Sequence, residues 1–202
     1  MLQQNLARLN ARFDRLSILY ADHYSLISTV GLERYHRLHA FEGLLSAAWQ
    51  SWCGFCRDTM YKSLTGTTTV SGTLTQPVAG INSYGRMAYV AKQVSSGKPI
   101  NPGKELLPHT EPTWGDQQIL LDLIQHLHPT NEQSLTSGLI LTYPASQHMR
   151  VVRNAVAHLS ASGFGEVKQL LIYYSGSGFR HPLDILVWQE NNSQEPAFLA
   201  WL

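Results

Sequence analysis

Residues 151–160 read VVRNAVAHLS, and their apolar positions recur at a helical rather than a strand period. Turned through about 100° per residue, Val152, Val156 and Leu159 fall on one side, flanked by Met149 and Ala155. That side is expected to face a core. Arg150, Arg153, Asn154, Ala157 and His158 fall on the opposite side, which is expected to face solvent. Asn154 and His158 are one turn apart and stacked, and Arg153 lies across from His158 with the small Ala157 between them. A phosphodiester suits such a shallow gap. A guanidinium grips phosphate oxygens with two parallel N–H groups, imidazole moves protons near neutral pH, and a carboxamide orients either one. The plainer account of an Arg and a His on the polar face of a helix is solvated surface.

Working outward, the helical period dominates the chain. Leu6, Leu9, Phe13, Leu16, Tyr20 and Tyr24 follow one another in steps of three and four over residues 2–28, with Arg8, Arg12 and Arg15 off the stripe. After a break at Gly31, a second long helix is expected over 32–64, with Tyr35, Leu38, Leu45, Trp49, Trp52 and Cys56 on or near one stripe, and with Gly43 and Gly54 as places where it could bend. TGTTTVSGTLTQP (65–77) reads as a loop with room for a short strand. A short helix is expected within 80–94 around Tyr84, Met87, Ala88 and Ala91, followed by a second loop carrying Pro99, Pro102 and Gly103.

A helix over 114–127 is expected to open at Pro112 and Thr113, with Asp116 three residues on in the manner of a capping box. Thr130 and Gln133 mark a short helix to Leu141, which Tyr143 and Pro144 should stop before the helix of 145–161 begins. Residues 163–202 are mixed: VKQLLIYY and PLDILVW suit helix or strand, and SGSG is a turn. The fold expected is mostly α, a single domain over 1–202, with a helical bundle at about 1–162 and an irregular, partly β extension from 163.

Bulk composition limits the chemistry. The chain has 202 residues, 44% of them hydrophobic and 14% charged, and a formal net charge of +1. No polycation is available to coat nucleic acid, so any such contact must be local. The amino terminus lacks the apolar core of a signal peptide, and no run reaches the ~18 apolar residues of a membrane span. With Cys53 and Cys56 as the only cysteines, no disulfide framework follows. A soluble, cytoplasmic protein with no cofactor and no metal is expected.

Other motifs fail on context. SWCGFCR (51–57) has the spacing of a redox pair but sits among helix formers without strand–helix alternation, so Cys53 and Cys56 are expected to pack on a helix. His36 and His39 lie about four turns or more from Cys53 along one helix and cannot share a zinc ion with it. His126 and His128 point to different sides of a helix end. SGSGFR (175–180) lacks the Lys-Ser/Thr of a phosphate loop, and no G-x-S-x-G elbow exists. Trp188, Phe198 and Trp201 are expected to be packing residues.

RNAVAH (153–158) resembles the signature of the HEPN proteins, in which an Arg and a following polar residue precede a His after four to six intervening positions. The order of elements is also similar: long amino-terminal helices, Trp114-Gly115 opening the next helix, and Pro144 shortly before the signature. The resemblance spans about 1–162. It implies metal-independent RNA cleavage at a homodimer interface where two signature helices meet, with His158 handling proton transfer, Arg153 holding the phosphate, Asn154 beside them and Arg150 contributing to substrate binding. It further implies a toxin or anti-phage defence role and a possible antitoxin or defence-system partner. The alternative is a catalytically silent scaffold or binding subunit of a two-component system. The chain departs from many active relatives in carrying Leu159, not a basic residue, directly after the His.

Overall fold

The computed structural model describes residues 1–30, 34–158 and 160–202, with side chains described for all of these except 26–30 and 34–35. Leu159, Gly31, Leu32 and the Tyr35 side chain therefore lie outside the described residues. The fold is all-α with a short, irregular carboxyl-terminal extension. The helices are α1 (Leu2–Val30), α2 (Arg34–Thr65), α3 (Tyr84–Ser95), α4 (Gln117–Leu127), α5 (Glu132–Ala157), α6 (Ala161–Leu170) and α7 (Ala197–Ala200). The chain divides into two compact units, one made of Met1–Leu9 with Trp52–Tyr143 and the other of Asn10–Ser51 with Pro144–Leu202.

In the first unit the start of α1 supplies buried Leu2 and Leu9, and α2 supplies Trp52, Cys56, Met60 and Leu64 at steps of four. Both cysteines lie within α2 and neither is in a disulfide; Cys56 is buried, and burial pushes its thiol well up. Residues 66–77 form a loop with one antiparallel bridge, Thr68 to Leu74. Helix α3 begins at Ser83, whose side chain accepts from the Arg86 amide at 3.0 Å, and buries Met87, Ala88, Val90 and Ala91. Helix α4 packs against it through Leu120, Leu123 and Ile124. The expected opening of α4 at Pro112 and Thr113 is displaced. Asp116 is itself the cap, accepting from the Gln118 amide at 3.0 Å, because a short carboxylate reaches the second helical N–H directly.

The second unit is built around Tyr20. Its ring stacks on Phe41 at 5.6 Å and Phe198 at 5.1 Å between centroids, and its hydroxyl donates to the Leu186 carbonyl at 3.0 Å. Phe13 and Leu16 precede it on the buried side of α1, and Leu44, Leu45, Ala48 and Trp49 of α2 are buried with it. The stripe on α1 is narrower than expected, since Leu6 and Tyr24 are exposed.

Helix α5 corrects two expectations. It runs unbroken through Pro144 and ends at Ala157, where separate helices meeting near Pro144 and a second helix reaching 161 were expected. Proline inside a helix costs about 3 kcal/mol. Leu139 is buried before it, and Ser146, Met149, Val152 and Ala155 are buried after it. Packing on both sides outweighs a local preference of that size.

The extension is compact. Ser160 caps α6 by accepting from the Gly163 amide at 3.1 Å. After a short 3₁₀ turn, strand β1 (Tyr174–Ser175) pairs antiparallel with β2 (Gln189–Glu190), with Tyr174 opposite Glu190. Between them a 3₁₀ helix, Pro182–Val187, buries Leu183, Ile185 and Leu186. Asp184 holds its entry by accepting from the Arg180 and His181 amides, each at 2.7 Å. Trp188 lies over Gly176, where any Cβ would fall inside the indole ring, so only glycine fits there.

Candidate functional site

The carboxyl-terminal end of α5 carries the residues that the sequence singled out. Val152 is sealed from solvent and so are Met149 and Ala155, which fixes the rotation of the helix. Val156, expected to be buried, is half-buried, because the helix ends one residue later and the chain turns away toward Ser160. On the other side Asn154 and His158 are exposed and Arg150 and Arg153 are half-exposed.

The polar groups are partly tied to one another. Arg153 Nη1 donates to Asn154 Oδ1 at 3.1 Å, so the carboxamide orients the guanidinium. Arg150 Nε donates to Gln147 Oε1 at 3.2 Å one turn earlier. His158 follows the last helical residue, and its amide donates to the Asn154 carbonyl at 2.9 Å. Its imidazole makes no hydrogen bond or ion pair with any described residue. The residue is exposed, so its imidazole faces solvent.

The helix end shapes what can bind. Its last carbonyls carry about half a negative elementary charge, which opposes an anion. A phosphate here depends on Arg153, with Arg150 one turn away, rather than on backbone N–H groups. Among the described residues, no three His, Cys, Asp or Glu side chains come together in a way that could hold a metal ion, and no helix is long and apolar enough to cross a membrane.

A second polar cluster lies on the buried side of α5 and was not anticipated. His148 Nδ1 is 2.6 Å from Tyr174 Oη, which also accepts from Trp201 Nε1 at 2.8 Å. The Tyr174 oxygen accepts from the indole N–H, and its hydroxyl shares a second hydrogen bond with His148 Nδ1 in which the imidazole tautomer decides the donor. Burial lowers the His148 pKa against the opposing charge of Glu190, and burial pushes the Tyr174 hydroxyl up to about 12. Tyr173 packs on the imidazole with ring centroids 5.1 Å apart. The cluster fastens β1 and the carboxyl-terminal Trp201 to α5 around a neutral histidine. Its one sequence signal is spacing: His148 stands four residues before Val152, on the core side of the helix.

No family model matches the chain, and no curated protein and no solved structure matches it.

Proposed function

We propose that the chain is a metal-independent endoribonuclease of HEPN type, with Arg153, Asn154 and His158 as its reacting groups. The observation that carries the reading is the exposed end of α5, where an oriented guanidinium and an imidazole with no hydrogen-bond partner among the described residues share one helical turn and a half. The imidazole accepts the proton of a ribose 2′-hydroxyl as that oxygen attacks the adjacent phosphorus. The bond to the 5′-oxygen breaks, and that oxygen takes a proton from water or from the His158 of a second copy. The products are a 2′,3′-cyclic phosphate and a 5′-hydroxyl end. Arg153 holds the phosphate and meets the charge that grows on its oxygens. Asn154 keeps the guanidinium in place, and Arg150 extends the basic surface along the bound strand. DNA lacks the 2′-oxygen and is spared.

One copy supplies one Arg153 and one His158. A symmetric homodimer through the signature helix doubles both around one scissile phosphate, and light scattering should report two copies per particle. Such an activity fits a toxin or a defence effector. The test is expression in a bacterial host: the wild-type chain should arrest growth and degrade cellular RNA, and the His158→Ala chain at equal abundance should do neither. Equal harmlessness of both chains would favour a silent scaffold that binds a partner.

A further inference from the structure

The second unit seals most of its large rings: Tyr20, Phe41, Tyr174, Phe198 and Trp201 are all buried. Phe164, Phe179 and Trp188 form a separate cluster that is only half-buried. Phe164 of α6 meets Phe179 at 4.9 Å between ring centroids, and Phe179 meets the Trp188 indole edge-on at 5.9 Å. Cations flank these rings. Lys168 Nζ stands 5.2 Å from the Phe164 centroid, and Arg180 follows Phe179 directly. Both are exposed, and neither has a carboxylate within ion-pair distance among the described residues. Between residues 150 and 181 the chain carries Arg150, Arg153, Lys168 and Arg180, against Glu166 as the sole acid. The formal net charge of the whole chain is +1, so positive charge gathers on the segment that holds both the α5 end and the aromatic cluster.

We propose that Phe164, Phe179 and Trp188 are a stacking platform for the bases of a single-stranded RNA whose scissile phosphate lies at His158, an inference that rests on the ribonuclease reading above. Every base has a π face, so aromatic stacking selects unpaired strands rather than a sequence. In a duplex those faces are already stacked on one another. Lys168 is a flexible side chain over one face of Phe164. A base that takes its place keeps a partner on the ring, while the ammonium turns to a neighbouring phosphate oxygen. The spacing suits a short strand. The Phe164 amide donates to the Ser160 carbonyl at 3.0 Å, and Ser160 stands two residues beyond His158. With about 3.8 Å between successive Cα atoms, the Phe164 backbone lies within about 15 Å of that of His158. A stacked strand advances about 3.4 Å per nucleotide, so about five nucleotides cover the distance.

Fluorescence anisotropy of the full-length protein with a labelled deoxythymidine dodecamer tests the platform without cleavage, because this strand lacks the 2′-oxygen. Two companions of the same length are the strand paired with its complement and a strand of abasic sugars, which keeps the phosphates and removes the bases. The wild type should bind the single strand at least fivefold more tightly than either companion. That comparison needs no substitution. Phe164→Leu and Phe179→Leu, checked for folding by circular dichroism, should bind the single and abasic strands within twofold of each other. Lys168→Glu should weaken all three. The proposal is overturned if the single strand does not bind the wild type, if the abasic strand or the duplex binds as well, or if both folded leucine variants keep the preference. Incubating the wild type with the ribose form of the dodecamer separates the two readings. Cleavage without a single-strand preference removes the platform and leaves the ribonuclease. Base-dependent binding with the RNA left intact supports the platform on a silent scaffold and removes the ribonuclease.

Discussion

Replacing Tyr174 by Phe removes one oxygen and two hydrogen bonds. The first loss is the acceptor for Trp201 Nε1 at 2.8 Å, and Trp201 is 5% exposed, so water does not replace it. A buried donor left without a partner costs about 1–3 kcal/mol. The second loss is the hydrogen bond shared with His148 Nδ1 at 2.6 Å. His148 is half-buried, water replaces part of this bond, and its loss adds about 1 kcal/mol. Tyr174→Phe should therefore lower the unfolding free energy by about 2–4 kcal/mol. For a chain of this length that corresponds to roughly 5–15 °C in Tm. Urea denaturation followed by circular dichroism at pH 7.5 measures it, and a loss below about 0.5 kcal/mol would refute the clamp.

The same cluster sets a pH dependence. Burial holds the folded His148 pKa below its ordinary value of 6.5, against the opposing influence of Glu190. The unfolded chain then binds a proton that the folded chain refuses. The contribution of neutral His148 is complete above pH 6.5 and is lost as pH falls from there through the folded-state value. Wild-type stability should drop between pH 7.5 and pH 5 by more than that of His148→Gln, whose carboxamide can donate to or accept from Tyr174 without titrating. Equal drops in the two proteins would show that His148 is not held neutral.

Further substitutions probe the supports of the site and of the extension. A Cβ at Gly163 would lie 3.2 Å from Ala155 Cα and 3.4 Å from Ala155 Cβ; Gly163→Val should force α6 away from α5 and cost about 1–3 kcal/mol in the same denaturation assay. Asp184→Ala removes two hydrogen bonds to a carboxylate and should cost about 2–4 kcal/mol, read as a lower urea midpoint. Arg153→Ala should weaken RNA binding in a filter assay more than Arg150→Ala, because Arg153 is the cation oriented beside His158.

The parts legible in the sequence are those where one helical face is buried over several successive turns. Leu9, Phe13, Leu16 and Tyr20 show it on α1, and Trp49, Trp52 and Cys56 on α2. The same projection puts Val152 inside and Asn154 and His158 outside, which is how they stand. Pro144 was misleading because the breaking rule is local, whereas the packing that overrides it involves residues far away in the chain. Asp116 displaced Thr113 as the cap for a subtler reason: both side chains suit the role, and backbone geometry chooses between them. The extension was illegible because its order comes from long-range bonds, such as Tyr20 to Leu186 and His148 to Tyr174. No period or spacing encodes those.

His158 is the group whose removal separates a ribonuclease from a silent scaffold most sharply. A defined RNA is incubated in EDTA with the wild type or with His158→Ala, and the ends of the cut strands are identified and timed. Cyclic phosphate ends should form at a rate that EDTA leaves unchanged, with a loss of roughly 10²–10⁴-fold in His158→Ala when the proton-transfer group is removed. Cleavage abolished by EDTA, or His158→Ala cutting at the wild-type rate, would contradict the ribonuclease reading.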